Sequence, residues 1–292
     1  VQNSNLDNNS ATLRGGALNI GGGEGCQILN VSLSNNEAGT LGGAVYVVGD
    51  RSLFDNVTSV NNTAQEGGSS YIAGNEVVVK NCNLNNNSAT INGGGLDVAG
   101  NNCTFVNVTL SDCNAAKDGG AVYVKGDNTV FDNVTSIHNH AERGGSSFIE
   151  GNNIIVKNSD LNNNTADVRG GGLDVAGDNC TFVNVTLSNC NATEEGGAVY
   201  IRGNENVFEN VTSVNNHAYT GGSTYVAGDD NVVKNCTLVD NTADFGGGAI
   251  AIEGSNSIFT GNNISRNSAY MGGAIYIDGD NSLFTYNNIT FN

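Results

Sequence analysis

A Gly-Gly pair stands at residues 15, 42, 67, 93, 119, 144, 170, 196, 221, 247 and 272, setting a period of 25 or 26 residues through the chain. Three units make a longer repeat. Residues 42–64, GGAVYVVGDRSLFDNVTSVNNTA, return from Gly119 and again from Gly196, each copy 77 residues after the last. Looser copies start at Gly67 and Gly93. A fixed period of this size is the mark of a solenoid, in which each unit adds one layer and contacts only its neighbours. Residues 1–292 are therefore read as one elongated segment.

Within a unit, apolar residues alternate after Gly-Gly, as at Val45 and Val47, Leu96 and Val98, Val122 and Val124, and Ile275 and Ile277. Such alternation in a short run predicts a strand with one buried face. A second run ends on Phe54, Phe105, Phe131, Phe182, Phe208, Phe259 or Phe284, and a third follows, as in Val108–Leu110. Turns such as Gly126-Asp127-Asn128 join the first two; Gly and Asn tolerate the left-handed backbone such a turn needs. Three short strands with no room for a helix predict an all-β chain, a parallel β-helix of about 11 coils. Right-handed winding is expected because parallel crossovers nearly always have that hand.

Two columns support the stacking. Each unit ends in alanine, from Ala11 and Ala38 to Ala243 and Ala269. Two residues earlier stands asparagine at Asn36, Asn62, Asn87, Asn139, Asn164, Asn216, Asn241 and Asn267, replaced by Cys113 and Cys190 in two units. Amides stacked at strand spacing can donate to one neighbour and accept from the other. A second column runs through Asn30, Asn56, Asn81, Asn107, Asn133, Asn158, Asn184, Asn210 and Asn235 and lapses at Gly261 and Tyr286. Both columns are read as structural ladders.

The GGAV and GGAI segments followed by a Phe-to-Asn run resemble the GGA[ILV]/FxxN repeats of chlamydial polymorphic outer-membrane proteins. They are more similar still to the β-helix repeats of adhesin-like surface proteins of methanogenic archaea, which share the richness in Asn, Gly and Thr. One residue separates Phe54 from Asn56, where the chlamydial repeat has two, which makes the archaeal likeness the closer. The resemblance covers the whole chain. It implies a secreted protein displayed at the cell surface and often glycosylated; a structural or adhesive role, not an enzymatic one, is expected. Its expected partners are further coils or copies of itself and a glycan or a surface protein of a host or neighbouring cell.

Proline is absent from the chain, which suits one whose N–H groups are nearly all used in ladders. A net charge of −18 with only 11 scattered basic residues argues against nucleic acid. No apolar stretch is long enough to insert in a membrane. The chain opens inside the second strand of a unit and closes inside the third, so a piece of a longer chain is expected; a filament subunit joined head to tail through its open ends is the alternative.

The residue between the two buried positions of the first strand is expected to face outward. It reads Tyr46, Tyr71, Asp97, Tyr123, Phe148, Asp174, Tyr200, Tyr225, Ala251 and Tyr276, beside a strip of small residues that includes Ala44, Ser69, Gly95 and Ala121. Two readings stand: rings that cover the sheet and stack on one another, or a face that holds a sugar chain or a protein. Among the cysteines, Cys103 with Cys113 and Cys180 with Cys190 are candidate disulfides, against buried thiols acting as small hydrophobes. Asp50, Asp127, Asp178, Asp229, Asp230 and Asp280 are turn acids that could recruit Ca²⁺, against a solvated turn and no cofactor. Glycosylation triplets begin at Asn56, Asn107, Asn133, Asn184 and Asn210, among others. A polysaccharide-processing enzyme is a further alternative. It needs paired carboxyls ~5–10 Å apart, whereas Asp97 and Asp174 are expected about 14 Å apart at ~4.8 Å per coil, with no basic neighbour. His138, His140 and His217 are expected in surface corners without a nucleophile.

Overall fold

The computed structural model describes residues 1–292. All named strand pairs are parallel, and each residue meets its counterpart one unit away: Leu96 faces Val122, Asp97 faces Tyr123, and Phe105 faces Phe131. The chain winds as a parallel β-helix with three sheets along its length. One sheet has 11 strands, from Leu18–Ile20 to Ile275–Ile277. A second holds the longer segments, such as Thr104–Ser111 and Val130–Ile137, and a third of 10 strands carries the alanine column. No helix in it is long and apolar enough to cross a membrane.

Asparagine is abundant because the coil must turn sharply without loops. Asn107 has φ 55°, Asn128 φ 56° and Asn163 φ 53°, and the columns to which they belong keep this left-handed conformation in coil after coil. Asn pays the smallest penalty there among residues with a Cβ. Where the mid-strand Asn column lapses, Gly261 and Tyr286 keep φ at 68° and 56°, so the backbone bend outlasts the side chain.

The core is a single apolar column. Phe105 stacks on Phe131 at 4.7 Å between ring centroids, Phe182 on Phe208 at 4.4 Å and Phe259 on Phe284 at 4.8 Å. The 77-residue repeat is visible inside it, where Ser59 meets Ser69, Ser136 meets Ser146 and Ser213 meets Ser223, each at 2.6 Å.

Two amide rails run along the rod in opposite senses. Inside, Asn36 Nδ2 donates to Asn62 Oδ1, Asn139 to Asn164, and Asn216 to Asn241, always toward the later coil. Outside, Asn133 donates to Asn107 and Asn107 to Asn81, toward the earlier coil. The cysteines that interrupt the inner rail keep part of its bonding. Cys113 Sγ lies 3.7 Å from Leu84 O, the place an Asn Nδ2 takes in neighbouring coils. The backbone N–H of Cys113 donates to Asn139 Oδ1 at 2.8 Å.

Asn216 tests the inner rail. Its Nδ2 reaches Leu187 O, Ser213 Oγ and Asn241 Oδ1, and its Oδ1 accepts from Cys190 N. Replacing it with Ala strands buried partners on both sides, and urea denaturation should show a loss of roughly 2–4 kcal/mol. An unchanged midpoint would remove the rail from the account of stability.

Of the two cysteine readings the buried thiol is the one found, and the expectation of an outward strip of small residues fails. All seven cysteines are free. Cys103 and Cys113 flank the eight-residue strand Thr104–Ser111, as Cys180 and Cys190 flank Thr181–Ser188. Extended chain at roughly 3.3 Å per residue carries each pair well past the ~7 Å Cα limit for a disulfide. Burial pushes the Cys103 and Cys180 thiols up to about 11 and those of Cys113 and Cys190 up to about 12, which leaves them inert. The small-residue strip also turns inward: Ala44, Ser69 and Ala121 are buried, and a Cβ on Gly95 would meet Leu110 Cδ2. Ala44 O accepts from both Ala17 N and Leu18 N, a local irregularity that breaks strict alternation at the Gly-Gly corner.

Candidate functional site

The central residue of each first-sheet strand points away from the apolar core, yet it is not an open surface. Asp97 and Asp174 are 0% exposed, and Tyr123 is 5% exposed. Tyr71 and Tyr276 are half-buried. The expectation of an outward stripe is therefore corrected: these side chains form the floor of a groove that two flanking columns roof over.

The first wall is the residue before each Gly-Gly pair. Glu66, Asn92, Asp118, Arg143, Arg169, Glu195, Thr220 and Gly246 follow one another through bridged backbone positions. The second wall follows each strand and includes Lys125, Glu150, Arg202, Glu253 and Asp278. Long side chains lean from both walls over the rings. Arg14 lies 4.9 Å from the Tyr46 ring centroid, Lys125 4.8 Å from Tyr123, Arg143 4.9 Å from Phe148, and Arg169 4.5 Å from Tyr200. The rings also stack on one another, Tyr46 on Tyr71 at 5.8 Å and Tyr200 on Tyr225 at 5.5 Å. Stacking and cation contacts together explain why the floor is buried.

The two floor aspartates have different surroundings. Arg169 Nε donates to Asp174 Oδ2 at 2.8 Å, and Arg202 Nε lies 3.6 Å from Oδ1. Burial raises the Asp174 pKa, while Arg169, Arg202 and Arg143 pull it back. Burial works against the Arg169 guanidinium, yet the neighbouring carboxylate holds its pKa above the usual arginine value. The expectation of no basic neighbour is wrong for Asp174, because Arg169 reaches it across the Gly-Gly corner. At Asp97, 77 residues earlier, Asn92 stands in the place of Arg169 and Lys125 in that of Arg202. Both carboxyl oxygens of Asp97 lack a hydrogen-bond partner. Burial pushes its pKa up to about 8, with Lys125 opposing.

The basic wall residues escaped the sequence reading. A signal was present: Arg14, Arg143 and Arg169 share one column and Lys125 and Arg202 another, each at fixed distance from a floor residue.

Other candidate residues lie apart from the groove. Asn56, Asn107, Asn133, Asn184 and Asn210 are exposed at the mid-strand corner, each Nδ2 donating to the preceding coil, as from Asn56 to Asn30 at 3.0 Å. Several turn acids cap backbone: Asp50 Oδ1 accepts from Asn75 N, Asp127 Oδ1 from Asn152 N and Asp229 Oδ1 from Ser255 N. No group of three or more His, Cys, Asp and Glu residues converges to hold a metal ion. His140 Nε2 lies 3.0 Å from Asp167 and His217 Nε2 3.2 Å from Asp244, both as exposed pairs.

Comparison with curated proteins and with solved structures gives no match for this chain. Residues 171–292 match the family described as a right handed beta helix region, and the same parallel stacking runs through the coils before them, so the chain as a whole is a parallel β-helix repeat protein.

Proposed function

We propose that this chain is a rigid stalk of an extracellular, adhesive surface protein, with the roofed groove as its contact face for glycan or protein. The observation that carries the reading is the unbroken register of the coils: first-sheet strands pair without a slip from Leu18–Ile20 to Ile275–Ile277. Coils stacked at ~4.8 Å give a stiff body roughly 50 Å long. The similarity of the repeats to adhesin-like surface proteins of methanogenic archaea supports display at the cell envelope. Catalysis at the floor aspartates is disfavoured, since Asp174 is closed by Arg169 and Asp97 is wholly buried.

Antibodies raised against the chain should label intact source cells, and purified chain should appear in electron micrographs as short separate rods. Labelling only after cell lysis would overturn the assignment. Long uniform fibres would favour a head-to-tail filament subunit, and cleavage of a polysaccharide would favour the enzyme.

A further inference from the structure

Beyond Arg202 the groove changes character. Tyr46, Tyr123, Phe148 and Tyr200 each hold a basic side chain of the protein against the ring. Tyr225, Phe245 and Tyr276 hold none. Arg169 and Arg202, the last cations of the walls, both turn to Asp174. The two basic residues that follow in sequence are committed elsewhere, Lys234 to Glu209 at 3.0 Å and Arg266 to Asp240 at 2.8 Å. Where the cations stop, the walls present Glu195, Glu253 and Asp278, none of which makes an ion pair. The floor also drops there, because Ala251 occupies a position that is Tyr225 in one adjacent coil and Tyr276 in the other.

The result is a cavity of about 190 Å³ lined by these rings and carboxylates over Ala251. Phe245 meets Tyr276 edge-on at 6.2 Å between centroids, and the Tyr225 hydroxyl donates to Glu253 Oε2 at 2.9 Å, which fixes that carboxylate at the rim. We propose that this cavity binds an organic cation, an alkylammonium head group of the quaternary type, which takes the place that Arg and Lys side chains occupy farther up the groove. Ring faces attract a diffuse positive charge, and surrounding carboxylates add long-range attraction. An inorganic ion is the poorer fit, because the acidic groups are spread around the rim and form no converging ligand set. Burial raises the Glu195 pKa, with Arg169 opposing, as expected of a carboxylate lacking a close counter-charge.

The inference does not depend on the stalk assignment, since cell labelling reads display and a titration reads the cavity. Choline would be titrated into the full chain, followed by the aromatic resonances of Tyr225 and Tyr276, beside its uncharged tert-butyl analogue. Choline should bind saturably and the analogue at least about tenfold more weakly. Ala251→Tyr, which continues the aromatic floor, should weaken choline binding by about tenfold or more, and Asp278→Asn should weaken it several-fold while leaving the shape unchanged. Equal affinity for the uncharged analogue, equal binding by both variants, or no saturable binding of choline would each overturn the proposal.

Discussion

Replacing Asp97 by Asn should stabilise the protein, and the gain should grow as the pH rises from about 4 to about 8. The carboxyl has an unfolded-state pKa near ~3.9, while burial raises it to about 8 in the fold, with Lys125 opposing. Between those values the native state holds one proton that the unfolded chain releases. Stability conferred by the neutral carboxyl is therefore complete below about pH 4 and is lost by ~1.4 kcal/mol per pH unit up to about pH 8. An amide of the same shape does not titrate, so the difference should reach on the order of 5 kcal/mol at the upper end. Denaturant titrations across this range would decide the matter; parallel pH profiles for the two proteins would refute it. Asp174→Asn should gain less than Asp97→Asn, because burial raises that carboxyl too but Arg169 and Arg202 offset it, and the substitution strips Arg169 of its partner.

Gly145→Ala should cost roughly 4 kcal/mol or more. A Cβ at Gly145 would lie 2.3 Å from Gly171 O and 2.3 Å from Thr165 O. Both are backbone atoms of the next coil, held in place by the parallel ladder, so no side-chain rotation relieves the clash. Gly22→Ala is the matched control: a Cβ there meets nothing within 4 Å. Thermal unfolding should therefore separate the two variants widely. If Gly145→Ala melted with the parent, close backbone contact would not be the reason for the second glycine of each pair.

The coil was legible because its causes are local and repeated. Alternation at Val45 and Val47 fixes the first strand, and Phe105, Phe131 and their counterparts mark the core column. Asparagine two residues before each alanine placed the inner amide rail, with Cys113 and Cys190 standing out as exceptions. The groove was harder to see, since part of its roof comes from side chains about one unit or more from the rings they cover, Arg14 over Tyr46 and Arg169 over Tyr200, while Lys125 and Arg143 cover rings close by in sequence, Tyr123 and Phe148. Parity failed at Ala44 and Ser69 because the corner beside the Gly-Gly pair breaks strict alternation, which no count of residues reveals. The contrast between Asn92 with Asp97 and Arg169 with Asp174 was printed in the 77-residue repeat, but only a contact across a corner gives it meaning.

The opposed amide rails bear on how far such a body can grow. An α-helix adds its peptide dipoles head to tail and gathers the sum as partial charge at its two tips. Here the side-chain dipoles of the inner rail aim one way along the axis and those of the outer rail aim the other, from Asn216 to Asn241 and from Asn133 to Asn107. As layers are added, the outer rail offsets the inner one, so the inner amides do not build up an uncompensated moment of their own along the axis.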